Sequence, residues 1–588
     1  METFQSLLAK RFADALAKAG LPNVGELTSA TDLRFGDYQT NAALVLGKER
    51  SENPKTLAAR ILAQLDVGDL CEPPTVAGAG FINFTLRADA IARKAGETLR
   101  DERLGVAKAE LTKRIVIDFG SPNVAKPMHA GHIRSTVLGD ALARIAQFLG
   151  HDVIRDNHVG DWGTQFGMVI YGWKNLLDRQ ALQRDPLAEI VRIYKETNER
   201  ATKDPQVREV CRQELVKLQA GDPENVDIWN ECVAFSMQEF DHVYKLLDIH
   251  YDIQCGESFY NDRLPGVVER LLKSGIAEIS EGAVVVFFRD IPELADKPCI
   301  IRKRDGGFNY ATTELATIDY RISDLKADAI WYVVGAPQIL HFKQIFEIAR
   351  REGYKADLRH ITFGSILGEG RKLMKTRSGE NVPLRDLLEE ACKRARKIVE
   401  EKNPDLSEAD KTDIAQKIGI GALKYFDLSQ YRMTDYVFSW EKMLSLQGNT
   451  APYLQNAYVR IRSIFRKAGE SVVATPLRGV SADARHEETG HRPVATALVV
   501  ADPAEINLAK RLCQFAEVVP QVLNDFRPNI LANYLFELAN SFHAFYETCP
   551  VLKSEEPARS SRLALCDLAG RVLQRGLDLV GIKVPEKM

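Results

Sequence analysis

The chain holds two histidines three positions apart, His129 and His132, with Gly131 between them and Lys126 just upstream. Imidazoles on one helical face can donate hydrogen bonds to phosphoryl oxygens. A glycine lets a flat base approach the backbone, because no Cβ stands in the way. A second set lies far downstream in residues 363–379, where Arg371, Lys372, Lys375 and Arg377 surround Met374 among glycines. Movable cations on a glycine-edged loop suit an in-line attack on an α-phosphate, where charge develops on the leaving pyrophosphate. Taken alone, the first set also fits an ordinary strand–turn–helix with incidental histidines, and the second a solvated basic loop.

Particular elements must hold these groups. Ile115, Val116 and Ile117 read as a buried strand that breaks at Gly120 and Pro122. Ile133, Val137, Leu138, Leu142, Ile145 and Phe148 then recur at helical spacing up to Gly150. Strand, polar loop and helix form the first half of a nucleotide-binding α/β unit, with N–H groups at the helix start facing outward. Residues 329–335, with a helix to Arg351 and Gly353 as its stop, predict the second half. Further strands are expected at 152–155, 283–288 and 299–302, and a charged, helix-rich insertion near 172–250. Residues 1–110 read as a separate small α/β unit. It has an N-terminal helix, a turn at 36–39 leading into the apolar run 40–46, a helix near 54–65, a strand-like run at 80–86 and a helix over 88–101. From about 391 the pattern is helical to the end, broken by a polar surface loop at 479–490. The expected domains are 1–110, 111–390 with its insertion, a helical linker at 391–450, and an all-helical 451–588.

Composition narrows the class. With 588 residues, 45% of them apolar, the chain can build about four domains with ordinary cores. No apolar run approaches the roughly 18 residues of a membrane helix. An amphipathic start carrying Glu2 and Asp14 matches neither a secretory nor a transit peptide, so a cytoplasmic location is expected. Nine cysteines are scattered singly, which predicts neither a zinc site nor a disulfide framework. A net charge of −3 argues against non-specific coating of nucleic acid but leaves room for a selective RNA enzyme.

His-x-Gly-His resembles the adenine-nucleotide signature of class I aminoacyl-tRNA synthetases, and MKTRSG at 374–379 resembles their KMSKS loop. SPNVAKPMHAGHIRST at 121–136, GDWGTQFG at 160–167, MKTRSG and the helical C-terminal part together resemble the arginyl-tRNA synthetase family over nearly the whole chain. That resemblance implies an α/β Rossmann-like class I synthetase catalytic domain, an N-terminal α/β tRNA-binding domain and an all-α C-terminal anticodon-binding domain. It implies ATP with Mg2+, L-arginine and tRNA-Arg as partners, a monomer, and neither a protein-bound metal site nor a membrane. The implied reaction forms arginyl-adenylate and then charges the tRNA 3′ end, with tRNA required before activation. Two rivals stay open: another class I synthetase or adenylyltransferase on the same fold, and a non-catalytic RNA-binding relative.

The same resemblance assigns residues. His129, Gly131, His132, Met374 and Lys375 would bind ATP, and His129, His132, Lys375, Arg377 and Lys126 would stabilise the transition state. The second signature departs from the usual lysines, and Lys126 is expected to supply the missing phosphate charge. A guanidinium calls for carboxylates and planar acceptors, because its fork pairs bidentately. Asp118, Asn123, Tyr310, Glu314 and Gln338 match the family's arginine-contacting positions. Glu314 and Tyr310 are expected to take the guanidinium, and Asn123 and Gln338 the α-amino and carboxylate end. The family often has Glu where this chain has Asp118, and Asp where it has Glu314, so charge is kept while reach changes. Phe81 and Asn83 would meet the tRNA D-loop, and Tyr453, Arg460 and Met588 the anticodon region.

Overall fold

The computed structural model describes residues 1–30, 32–368, 370, 372, 374, 382–469 and 498–588. Backbone contacts group them into two units. One comprises Ala109–Ser445 with Leu579–Ile582; the other comprises Met1–Lys108, Leu446–Asp578 and Lys583–Met588.

The first unit is built on the expected strand, Arg114–Asp118, buried at every position after Arg114. It lies between the strands Asp152–Asp156 and Ala329–Tyr332, with Asp357–His360 beyond, all parallel. Parallel strands covered on both faces read as continuous apolar runs, which is why Ile-Val-Ile and Ala-Ile-Trp-Tyr stood out. The register sets Asp118 opposite Asp156 on one side and Tyr332 on the other. Polar side chains therefore gather at the carboxyl ends of adjacent strands, where open α/β sheets bind ligands. The helix His132–Phe148 packs close to this edge: a Cβ on Gly139 would lie 2.2 Å from Cγ of Phe119.

The insertion is helical, as its charge pattern predicts. Asp185, Asp204 and Asp222 each cap a helix that starts on the following proline: Pro186–Lys203, Pro205–Gln219 and Pro223–Leu246. An Asp side chain satisfies the exposed N–H groups of the first turn, and proline has none to satisfy at that position. Beyond it, Glu278–Ser280, Ala283–Val286 and Cys299–Arg302 form an antiparallel sheet. The helices Leu384–Lys402 and Glu408–Leu428 follow. This region also contains a strand, Tyr436–Val437, paired with Ile366–Leu367. Two-residue strands are too short to show an alternating pattern.

In the second unit the strands Leu27–Ser29, Tyr38–Thr40, Phe81–Phe84 and Thr75–Ala77 make an antiparallel sheet, neighbours in that order. The apolar run 40–46 is split: the strand ends at Thr40 and Ala42–Arg50 is a helix. Five C-terminal helices belong to the same unit: Ala451–Ala468, Pro503–Cys513, Phe515–Asn524, Pro528–Thr548 and Ala558–Leu579 up to Asp578. The polar stretch 479–490 lies outside the described residues. Among the described residues, no helix is long and apolar enough to cross a membrane.

Candidate active site

The loop leaving the first strand arranges its own donors. Gly120, in the left-handed region at φ +83°, donates its N–H to Ser135 Oγ (2.9 Å), and that hydroxyl donates to the Val333 carbonyl (2.6 Å). The start of the helix is thereby tied to the ends of two adjacent strands. The His129 N–H donates to Nδ1 of His132 (3.0 Å), and the Gly131 N–H to Nδ1 of His129 (3.1 Å). A backbone N–H can only donate, so the neutral His129 ring accepts at Nδ1 and carries its proton on Nε2, while Nδ1 of His132 lies 3.0 Å from the His129 N–H and 3.3 Å from the His129 carbonyl oxygen. Burial, with a smaller contribution from His129, pushes His132 down to about 4; burial also lowers His129. Both rings are therefore neutral donors near pH 7, with centroids 4.0 Å apart.

The second signature's root is laced to this loop. Ala130 N–H donates to the Val382 carbonyl (2.9 Å) and Leu384 N–H to the Met128 carbonyl (2.8 Å). Met374 is half-buried, and the neighbouring Lys372 carbonyl accepts from Gly368 (2.7 Å). Arg371, Lys375 and Arg377 lie outside the described residues. Lys126 is exposed, with its ammonium 5.5 Å from the ring centroid of Tyr194 on the insertion helix Pro186–Lys203.

The carboxylates at the sheet edge are not alike. Asp118 has both oxygens engaged: Oδ1 accepts from Ser121 Oγ (2.7 Å) and Oδ2 from Arg321 Nη2 (2.7 Å). Ser121 reaches back because it holds the left-handed conformation at φ +43°, uncommon for a residue with a Cβ. Arg321 also donates to Asp156 Oδ2 from Nε (2.9 Å) and Nη2 (2.6 Å). All three side chains are buried. Burial, opposed by Arg321 and reinforced by Asp118, pushes Asp156 up to about 6. Glu314 stands apart. Its Oε2 is shielded from solvent and has no hydrogen-bond partner. Burial first, then the Asp118 carboxylate, push it up to about 8.

The other expected pocket residues take distinct places. Tyr310 opens the helix Tyr310–Ser323, 61% exposed, with its ring 4.8 Å from that of His341. Gln338 is exposed at the start of the helix Ile339–Arg351. Asn123 bridges to the GDWGTQFG loop: Val124 N–H donates to the Gly160 carbonyl and Gly160 N–H to the Pro122 carbonyl, both at 3.0 Å. A Cβ on Gly160 would stand 2.3 Å from Asn123 Oδ1. Trp162 in that loop meets Trp229 edge to face at 5.4 Å.

Sequence reasoning missed three residues. Arg321 and Asp156 form the buried pair just described. Arg134 is buried within SPNVAKPMHAGHIRST, paired with Asp427 at 3.0 Å and donating to the Thr434 and Arg432 carbonyls. Their signal was a charge within an otherwise apolar element, which demands a partner when buried.

Three family profiles match the chain in sequence order. "Arginyl tRNA synthetase N terminal domain" matches residues 6–86, "tRNA synthetases class I (R), catalytic domain" residues 95–440, and "DALR anticodon binding domain" residues 454–588. The chain belongs to the arginyl-tRNA synthetase family. It is 43% identical to an arginine–tRNA ligase of Synechococcus elongatus, with 99% of each chain covered. It is 42% identical to one of Chromobacterium violaceum, with all of both covered. Among solved structures, the arginyl-tRNA synthetases of Thermus thermophilus (27% identical) and Plasmodium falciparum (28% identical) each superpose with a TM-score of 0.82 over the full length of both chains.

The residues matched to the family's tRNA contacts lie in the second unit. Phe81 is 38% exposed, whereas Asn83 is buried, its Oδ1 without a hydrogen-bond partner. Tyr453 donates its hydroxyl to Asn540 Oδ1 (2.7 Å), and its ring lies 5.2 Å from His543. Arg460 reaches the same His543 at 3.3 Å and lies 5.6 Å from the Tyr546 ring centroid. Met588 is half-buried at the end of a tail held by Arg462 and Arg466 on Glu586. Among the described residues, no group of three or more His, Cys, Asp or Glu side chains is placed to hold a metal ion.

Proposed function

We propose that the chain charges tRNA-Arg with L-arginine at the expense of ATP, and that the carboxyl edge of the parallel sheet is its active site. The observation that carries the substrate is Glu314, a shielded carboxyl with one oxygen unpaired while Asp118 is fully engaged. A permanently charged planar fork is the chemistry that completes it. Tyr310 would flank the guanidinium, and Asn123 and Gln338 would orient the α-amino and carboxylate end. The arginine carboxylate attacks the α-phosphate in line, the bond to the bridging oxygen breaks, and pyrophosphate leaves; Mg2+ enters with ATP as part of that substrate. No side chain need act as a nucleophile. The His129 and His132 imidazoles would donate to phosphoryl oxygens as charge builds there, with Lys126, Lys375 and Arg377 adding positive charge. Met374 and Gly131 would adjoin the nucleotide. The arginyl group then passes to the terminal ribose of the tRNA, at its 2′-OH by analogy with the family.

We assign residues 1–110 to the tRNA D-loop, through Phe81 and Asn83, 111–390 to catalysis, 391–450 to the tRNA stem, and 451–588, with Tyr453, Arg460 and Met588, to the anticodon. The chain would work as a cytoplasmic monomer. The test is aminoacylation of a total tRNA pool with each amino acid in turn. Only arginine should be esterified, and arginine-dependent ATP–pyrophosphate exchange should need tRNA. Strong exchange without tRNA, or charging with another amino acid, would refute this reading.

A further inference from the structure

The sheet edge contains a guanidinium of its own. Arg321 lies two helical turns after Glu314 on the helix Tyr310–Ser323, hence on the same face. It is fully buried and spans the two strand-end carboxylates that the register places side by side, Asp118 and Asp156. Its Cζ also stands 5.1 Å from the ring centroid of Tyr332, the residue flanking Asp118 on the other side. Two carboxylates on Nε and Nη2 and an aromatic ring alongside make a guanidinium site, with Nη1 left without a hydrogen-bond partner, and the occupant is a side chain of the protein itself.

We infer that Arg321 is a positioning residue for substrate selection: it fills a second guanidinium site at the sheet edge and so leaves Glu314 as the carboxylate open to the incoming arginine. This rests on the assignment of Glu314 to the substrate guanidinium. The physical reason is competition. With Arg321 gone, Asp118 and Asp156 form a buried dianionic pocket next to the true one. Such a pocket takes a proton or draws in the nearest cation. The nearest cation is substrate arginine, which would then sit out of register with the α-phosphate and bind unproductively.

The experiment uses the full-length enzyme with tRNA and follows the arginine KM and kcat of charging. Arg321→Ala should raise the arginine KM by at least about tenfold, since a charge-assisted, bidentate network is lost. Guanidinium chloride at about 20 mM, far below denaturing concentrations, should refill the cavity and bring that KM back down. In the wild-type enzyme the same salt should instead raise the arginine KM, because the open site beside Glu314 is then the one it competes for. Opposite signs in the two proteins support the inference, and a wild-type KM in Arg321→Ala, or a KM that guanidinium raises in both, overturns it. Should Arg321→Ala fail to fold, Arg321→Lys decides. It keeps the charge but cannot bridge both aspartates in a fork, so KM should rise with kcat kept within about threefold. An unchanged KM in that variant overturns the inference. Glu314→Gln separates this question from the pocket assignment. If it leaves the arginine KM unaltered, the pocket reading itself fails; if it raises KM while the Arg321 variants show no such pattern, only the role of Arg321 does.

Discussion

Glu314 makes arginine recognition pH-dependent. Its carboxyl is held up to about 8 by burial and the Asp118 carboxylate, so in the free enzyme at pH 7 it carries a proton. A guanidinium stays charged throughout and pairs with the carboxylate, so binding must expel that proton. Affinity then grows as pH rises toward 8 and levels off above it. From pH 7 to 8 the arginine KM should fall by about fivefold, as one proton per site titrates near 8. In Glu314→Gln that slope should vanish; a slope that persists assigns the titration to another group. The exchange of reach between positions 118 and 314 fits the same picture, because the short Asp118 side chain stays with Arg321 and Ser121 while the longer Glu314 keeps a free oxygen. Lys126 has a different signature. Its ammonium stands in the loop beside Tyr194 rather than against a carboxylate, free to move onto phosphate. Lys126→Ala should slow adenylate formation by about 10²–10³-fold, the scale of losing one charged stabiliser of a transition state, with the arginine KM changed less than twofold. Equal activation rates in pre-steady-state assays would remove Lys126 from the chemistry.

At the scale of elements, the active edge depends on one close approach. The helix His132–Phe148 meets the start of its own loop where Gly139 faces Phe119, with 2.2 Å between a would-be Cβ and the ring. Gly139→Ala must push the helix or the ring aside, at a net cost of about 1–3 kcal/mol, less the small gain in helix propensity. Urea unfolding should show the midpoint falling without a change in slope, and charging should weaken because His129 and His132 move with the helix. Wild-type stability in that variant would mean that the packing yields more readily than the geometry indicates. This strand–loop–helix was legible in the sequence because its periods are long enough to read: an apolar triplet, then six apolar positions at helical spacing. The insertion was legible as a charged, helix-rich run, while its Asp-Pro helix starts emerged with the structure. What stayed hidden has two physical causes. Strands of two or three residues, such as Ile366–Leu367 and Tyr436–Val437, carry no period. Buried charges carry no local sign of their partner: Arg321 meets Asp156 and Asp118 across 165 and 203 positions, a pairing that only the sheet register brings about. The carboxylates Asp118 and Glu314 were expected from residue type and resemblance, but which of them is engaged and which is open came from the structure alone.

At the scale of the molecule, the first hundred residues and the C-terminal helices form one folding unit although more than three hundred positions separate them in the chain. Buried polar contacts join them. Lys510 pairs with Asp37 at 2.5 Å, and the Tyr38 hydroxyl donates to Glu517 (2.9 Å), whose Oε1 also accepts from the Gln5 N–H (3.0 Å). Asp37 simultaneously accepts from the Leu86 N–H at 2.7 Å, and its side chain is nearly closed to solvent. That second contact holds the carboxylate in place, so it cannot turn away once its cation is lost. Lys510→Met fits the same stem but leaves the charge without a counter-ion, and breaking a pair of this kind costs about 3–5 kcal/mol when fully buried. With the lysine side chain 20% exposed, some solvent screening remains, and a loss of about 1–3 kcal/mol is expected. Calorimetry should record a lower Tm for Lys510→Met, and the double variant with Asp37→Asn should recover part of the loss, because the orphaned charge goes with it. Both residues belong to the second unit and neither is among those proposed to bind arginine, so the arginine KM should stay within twofold of wild type at temperatures below the melt. A Tm equal to wild type would show that the Lys510–Asp37 pair contributes nothing to holding the two sequence ends together.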